Sequence, residues 1–294
     1  MPICVKYSGD FSYFLNDDGT ASIRRYEGNE RDVEFPSLLD GYQITSICGY
    51  ATHRRSFTSV IIPDGVTSIG GLAFEGCTFL ENIIIPNSIT SVGKLAFHYC
   101  SSLANIEIPD NVYSIGMGAF SGCIRLKKIT LPTRLTSIKG SMFQGCKSLT
   151  DIRLPPNLTS IGFGAFWDCT SLTSIDIPDS VVSIEGNTFC RCTSLTSIKL
   201  PDGIISIEDF TFQDCAALKS VSIPESVTSI GHYAFQGCTA LTSITIPDSV
   251  TVIGECAFRN CTALKNISIP DSVSSIGYGE FDGCTALTGN PHTK

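Results

Sequence analysis

The sequence of 294 residues predicts a solenoid of α/β to mostly β class. It should wind as a right-handed coil of about eleven repeats behind an N-terminal β-hairpin. Proline recurs at 63, 86, 109, 132, 155, 178, 201, 224, 247 and 270, and phenylalanine at 74, 97, 120, 143, 166, 189, 212, 235, 258 and 281, each at an unbroken interval of 23. Written out, the unit is L-x-x-I-x-I-P-x-x-V-x-x-I-x-x-x-A-F-x-x-C-x-x, as in the stretch from Leu241 to Cys261. Its first part alternates apolar and polar residues with the period of two of a strand. One copy offers only a few large apolar side chains, in one case Leu80, Ile83, Ile85, Ile89, Val92 and Phe97. Such a unit cannot close a core alone and is stable only when stacked on its neighbours.

Taken in order, residues 1–32 do not obey the repeat. Phe11 to Tyr26 alternates apolar and polar residues on both sides of Asp17-Asp18-Gly19 and predicts a hairpin. A terminal coil otherwise exposes its apolar edge and unpaired strand groups, so this hairpin is expected to cap the array. The solenoid is expected over 33–288. It begins with a degenerate coil, Val33-Glu-Phe-Pro36 followed by Ile44-Thr-Ser-Ile47, in which Arg54 stands in the place of the cysteine. From Phe57 to Leu287 the coils are regular. In each, L-x-x-I-x-I should supply the strand of a single parallel sheet, and proline ends that strand because it has no N–H for the ladder. Asp follows the proline in six of the ten copies. Pro-Asp is turn chemistry, although the acidic column is also a ridge that could take calcium or a basic partner. The return segment carries a column of serines whose hydroxyls can link coils, and A-F-x-x-C predicts a short helical or 3₁₀ turn. Residues 289–294 form a tail. No C-terminal cap is legible, so that end either frays, pairs end to end with another molecule, or continues in a longer array.

Net charge is −8 and the isoelectric point near 5.0, which argues against a basic nucleic-acid groove. Apolar runs are a few residues long, so no membrane span is expected. Met1-Pro2-Ile3-Cys4 shows neither the basic nor the apolar region of a signal peptide. Of fourteen cysteines, ten occupy one repeat position. Their side chains should run parallel from coil to coil, which favours a buried thiol column over disulfides. Cys4, Cys48, Cys190 and Cys256 stand outside the column and are left open. Cys190-x-Cys192 is a metal hint without a second ligand pair at zinc spacing. The four histidines, His53, His98, His232 and His292, are spread along the array, and no three can converge. No nucleophile elbow, phosphate loop or dinucleotide fingerprint occurs. The reading is a non-enzymatic chain with no cofactor and no metal.

A period of 23 lies inside the leucine-rich-repeat range, and Leu80-x-x-Ile83-x-Ile85 has that repeat's strand spacing. The fuller pattern, I-x-I-P, then V-x-x-I-G, then A-F-x-x-C, resembles the BspA-like (treponemal-type) leucine-rich repeat of bacterial surface proteins. The resemblance covers roughly residues 33 to 288. It implies a protein-binding or adhesion module, at the cell surface or secreted, that contacts host or matrix proteins; the alternative is an intracellular scaffold. With packing fixing the framework, function has only the variable positions to use. Most outward strand positions are Ser, Thr or Asn, but Lys127, Lys128, Asp151, Arg153, Asp176 and Lys199 form a mixed-charge group across four adjacent strands. They are the candidate ligand-binding residues, against the alternative that opposite charges simply stabilise the ladder. Phe163 and Trp167, with Met117, Phe210, Tyr233 and Tyr278 at related positions, are a candidate second interface, or local packing.

Overall fold

The computed structural model describes residues 5–288. Cys4 and the 289–294 tail lie outside them. The chain falls into two compact units, Met1–Leu135 and Thr136–Lys294.

Unit 1 opens with β1 (Val5–Ser8), β2 (Phe11–Leu15) and β3 (Ala21–Tyr26), paired antiparallel in sequence order. This is a three-stranded meander where the sequence predicts two strands. Its second turn is set by Asp18, whose carboxylate accepts from the Thr20 amide at 3.0 Å and hydroxyl at 2.6 Å, with Gly19 at φ +82°. After β4 (Asp32–Glu34), β5 (Leu38–Leu39) and β6 (Tyr42–Ile47), β3 pairs parallel with β6. The antiparallel meander thereby runs directly into the solenoid ladder.

Each coil of unit 1 contributes to two parallel ladders, not one. The first joins β4, Ser59–Ile61 and Asn82–Ile84. The second joins β6, Ser68–Ile69, Ser91–Val92 and Ser114–Ile115. The Ser-Ile return pair is too short to read as a strand by itself. It pairs because every coil places it in the same register, buried Ile or Val inward.

The A-F-x-x-C segment is a chain of hydrogen-bonded turns, and no helix occurs among the described residues. The reason is backbone conformation. Two positions per coil are left-handed, Leu72 (φ 62°) and Gly76 (φ 68°) in one coil, Leu95 (57°) and Tyr99 (57°) in the next. A residue with positive φ cannot propagate a right-handed helix. The rings between these corners stack, Phe74 on Phe97 at 5.3 Å and Phe97 on Phe120 at 5.6 Å between centroids.

The cysteines are free thiols among the described residues, and they are donors as well as filler. Cys100 Sγ donates to the Phe74 carbonyl at 3.2 Å and Cys123 Sγ to Phe97 at 3.1 Å. In the degenerate first coil the register is one residue short, since Ser46 pairs with Ser68. Arg55, and not Arg54, therefore takes the cysteine's place, while Arg54 occupies the left-handed corner at φ 55°. The Arg55 guanidinium donates to the Tyr26 carbonyl at 2.6 Å and lies 3.5 Å from Glu27, fastening the first coil to the meander.

Unit 2 repeats this plan. Its phenylalanines stack from Phe143 to Phe281 at 5.3–5.7 Å, and its thiols donate in the same way, as Cys215 does to Phe189 at 3.1 Å. Its ladders, however, are interrupted. The first ladder has a strand at Asp151–Arg153 and again from Ser197–Lys199 onward, but Ser174–Asp176 is not a strand. Among the described residues, the return strand Ser183–Ile184 is not paired with Ser206–Ile207. The residue after the return strand explains this second gap. It is usually glycine because the next coil's backbone passes there: a Cβ on Gly254 would lie 2.5 Å from the Gly231 carbonyl carbon. At Glu185 and Glu208, two successive coils both carry a side chain at that point.

Candidate functional site

Strand geometry sorts every coil into packed and available positions. In Ser197–Lys199 and Ser220–Ser222 the central Ile198 and Val221 are buried and both flanking residues are exposed. The serines and threonines beside the proline turns are committed to coil-to-coil bonds. Ser88 Oγ donates to Val66 O at 2.7 Å, and in unit 2 Ser249 Oγ donates to Val227 O at 2.7 Å. The post-proline acids reach the next coil where their partners are seen. Asp110 accepts from the Thr133 amide at 2.6 Å, and these bonds hold its carboxyl below the usual range. What remains open for recognition is the outer strand face and the turn edge.

The six charged candidates divide between the units. Lys127 and Lys128 belong to unit 1, both exposed at the start of the strand Lys128–Thr130. Asp151, Arg153, Asp176 and Lys199 belong to unit 2 and are all exposed. Asp151 and Arg153 flank the half-buried Ile152 on one strand. Asp176 lies on the segment without strand pairing, so four adjacent strands are not what carries the group. Lys199 Nζ contacts Asp179 Oδ1, from the preceding proline turn, at 3.2 Å. Both partners are about three-quarters exposed, which leaves them accessible to a ligand.

On the turn edge of unit 2, Phe163 is half exposed. Its amide donates to Glu185 Oε2 at 2.8 Å. Trp167 is half-buried and lies over Gly164, whose added Cβ would sit 3.6 Å from the indole. Phe210 and Tyr233 stack at 5.0 Å with an interplanar angle of 4°. Both are in left-handed backbone, at φ 60° and 58°. Asp168 stands between Lys147 at 3.7 Å and Arg191 at 3.6 Å. Packing and exposure thus coexist at this edge.

Two groupings escape the sequence reading. His53 and His98 are brought to one carboxylate, with Nδ1 atoms 3.0 Å and 3.5 Å from the two oxygens of Glu75. The one-residue contraction of the first coil puts His53, Glu75 and His98 in one column. The second grouping is apolar. Ile61 and Ile84, paired on neighbouring strands, point outward and are 37% and 59% exposed. Its signal was present, since Ile83-Ile84-Ile85 breaks the alternation seen in other coils.

Among the described residues, no group of three His, Cys, Asp or Glu is placed to hold a metal ion. Cys190 and Cys192 have separate partners, Gln213 Oε1 at 3.4 Å and the Phe166 carbonyl at 3.2 Å. No helix among the described residues is long and apolar enough to cross a membrane.

The BspA type leucine rich repeat region model matches residues 45–173 and 159–288, with six copies. A leucine rich cell surface protein from Faecalibacterium prausnitzii has a crystal structure similar to this chain at 32% identity and TM-score 0.67, covering 97% of this chain and 93% of that one. A leucine-rich repeat protein from Bacteroides ovatus is similar at 29% identity and TM-score 0.54, covering 97% and 91%. The pneumococcal vaccine antigen PcpA shares the fold at 19% identity and TM-score 0.66, covering 95% and 86%. No curated protein matches the chain.

Proposed function

The chain belongs to the BspA-type leucine-rich repeat family, and from that premise we propose that it is a non-enzymatic protein-binding module that works at the bacterial cell surface or after secretion, contacting host or matrix proteins. The observation that carries this reading is the division of labour within each coil. The repeated leucine, isoleucine, phenylalanine and cysteine positions of the unit are consumed by the core. Turn hydroxyls are consumed by coil-to-coil bonds, and the outward strand positions and the turn edge are left both exposed and variable. Repeat arrays recognise partners through such extended faces.

In unit 2 the contact residues we propose are Asp151, Arg153, Asp176 and Lys199, with Phe163 and Trp167 as a second contact on the turn edge. In unit 1 they are Lys127 and Lys128. Charged contacts of this kind chiefly set encounter rate and selectivity, so binding should weaken as salt rises. The test is a panel of purified extracellular-matrix proteins measured against the whole chain by biolayer interferometry. Saturable, salt-sensitive binding to at least one of them is expected, reduced in Arg153→Ala and unchanged in Thr245→Ala. Antibody labelling of intact source cells should equal that of lysed cells. Labelling only after lysis would favour an intracellular scaffold, and an empty panel would remove the adhesion reading.

A further inference from the structure

The outer strand face of unit 1 carries a feature that the polar faces of other coils lack. At the last residue of each strand in the first ladder, Glu34 is paired with Ile61 and Ile61 with Ile84. Asn105–Glu107 lies against Asn82–Ile84 and places Glu107 next in that column. Carboxylates thus bracket two exposed isoleucines. Asp32 and Glu81, also exposed, add negative charge beside them. The neighbouring cation of the first coil, Arg31, is turned to the Phe79 ring, 5.2 Å from its centroid.

A cross-strand Ile pair helps a ladder form, but threonine does this too without exposing apolar surface. Thr130 stands at the equivalent position within the same unit. The exposed Ile61 and Ile84 are therefore not required by the fold. Apolar side chains ringed by polar ones mark contact sites.

We propose that this face is a docking site for an extended protein segment that carries one large apolar side chain with a Lys or Arg two residues before it and two residues after it. This rests on the protein-binding reading above and gives its partner a chemistry. The spacing follows from strand geometry. Strands stack about 4.8 Å apart, so Glu34 and Glu107, three steps apart, are separated by about 14 Å, with the isoleucine pair near the middle. In an extended peptide, side chains on one face recur about every 6.8 Å, so positions i, i+2 and i+4 span about 14 Å. A segment laid along the stack would set its apolar side chain on Ile61 and Ile84 and its cations on Glu34 and Glu107.

The experiment is selection of a random-peptide display library on the whole chain, followed by affinity measurement with synthesised enriched peptides. Peptides with the cation-x-apolar-x-cation pattern should be enriched. Their affinity should fall about tenfold or more, equivalent to about 1.4 kcal/mol, on the Ile61→Thr/Ile84→Thr double variant and on Glu34→Gln/Glu107→Gln. Thr245→Ala should leave it unchanged. Threonine keeps β-branching, so the double variant should fold, which a wild-type denaturation midpoint will verify. Enriched peptides without flanking cations, equal affinity for the threonine variant, or no enrichment would each overturn the proposal. Peptides that map to Arg153 instead would remove this site while leaving the protein-binding reading standing. Enriched peptides of the stated pattern beside an empty matrix-protein panel would leave this site standing and remove only the adhesion reading.

Discussion

Burial raises the Cys123 thiol to about 12 and the Cys77 thiol to about 11. The unfolded thiols titrate near 8.5. Because the folded values lie above the unfolded one, this contribution is fully present below about pH 8.5 and is lost as pH rises toward the folded value, at up to about 1.4 kcal/mol per pH unit for each buried thiol. The urea midpoint should therefore fall between pH 8 and pH 10, and a flat profile would show that the column does not titrate on unfolding. The left-handed corner before each cysteine makes a second residue-level prediction. Gly237 sits at φ +73°, and an added Cβ would lie 2.3 Å from Asp214 Oδ1. Gly237→Ala should destabilise by about 1–2 kcal/mol by urea titration, the cost of a side chain in this conformation. Asn260→Gly at the equivalent corner should cost little. These corners were legible as a pattern, since Gly, Asp and Asn fill most of them, but their meaning was not. Tyr99 and Arg191 obscure it, and the alanine and phenylalanine between the corners suggest a helix.

The strand elements follow from the period alone, yet the two ladders do not, because a Ser-Ile pair has no strand signal apart from its register with the coils above and below. The gap in the return ladder of unit 2 was written in the sequence as two missing glycines, at Glu185 and Glu208, and could be interpreted only after the close approach at this position was seen. Glu208→Gly should let the strand at Ser206–Ile207 close on Ser183–Ile184. Slower amide exchange at residues 206–208 is the expected reading, and unchanged exchange would place the cause of the gap elsewhere. The surroundings of the candidate contacts were legible to different degrees for a related reason. Outward charge is visible in a repeat pattern, but the pairing of Lys199 with Asp179 depends on how a proline turn folds back. The meeting of His53 with Glu75 depends on a one-residue contraction that a fixed period conceals.

At the scale of the whole molecule, each coil meets only its neighbours, so removal of one should shorten the array without abolishing it. Deletion of residues 218–240, one full period, should give a folded protein with β-type circular dichroism. Its denaturant slope should be smaller, in keeping with the smaller surface exposed on unfolding. Loss of cooperative unfolding would show that this coil has a role its neighbours cannot take over. The joint between coils 172–194 and 195–217 has a different character. Neither strand ladder crosses it among the described residues. It is held on the turn edge by the Phe189 amide on Thr211 O at 3.0 Å and the Arg191 amide on Gln213 O at 2.7 Å, on the strand side by the single Thr196 amide on Thr173 O at 3.0 Å, and inside by Cys215 Sγ on Phe189 O at 3.1 Å and the Phe189–Phe212 stack at 5.6 Å. Under tension, as when one end is tethered and the other grips a partner, isolated hydrogen bonds yield one after another while a paired sheet resists as a whole. That joint is where the array lengthens first, and it behaves as a mechanical fuse that gives up slack before the grip is torn away.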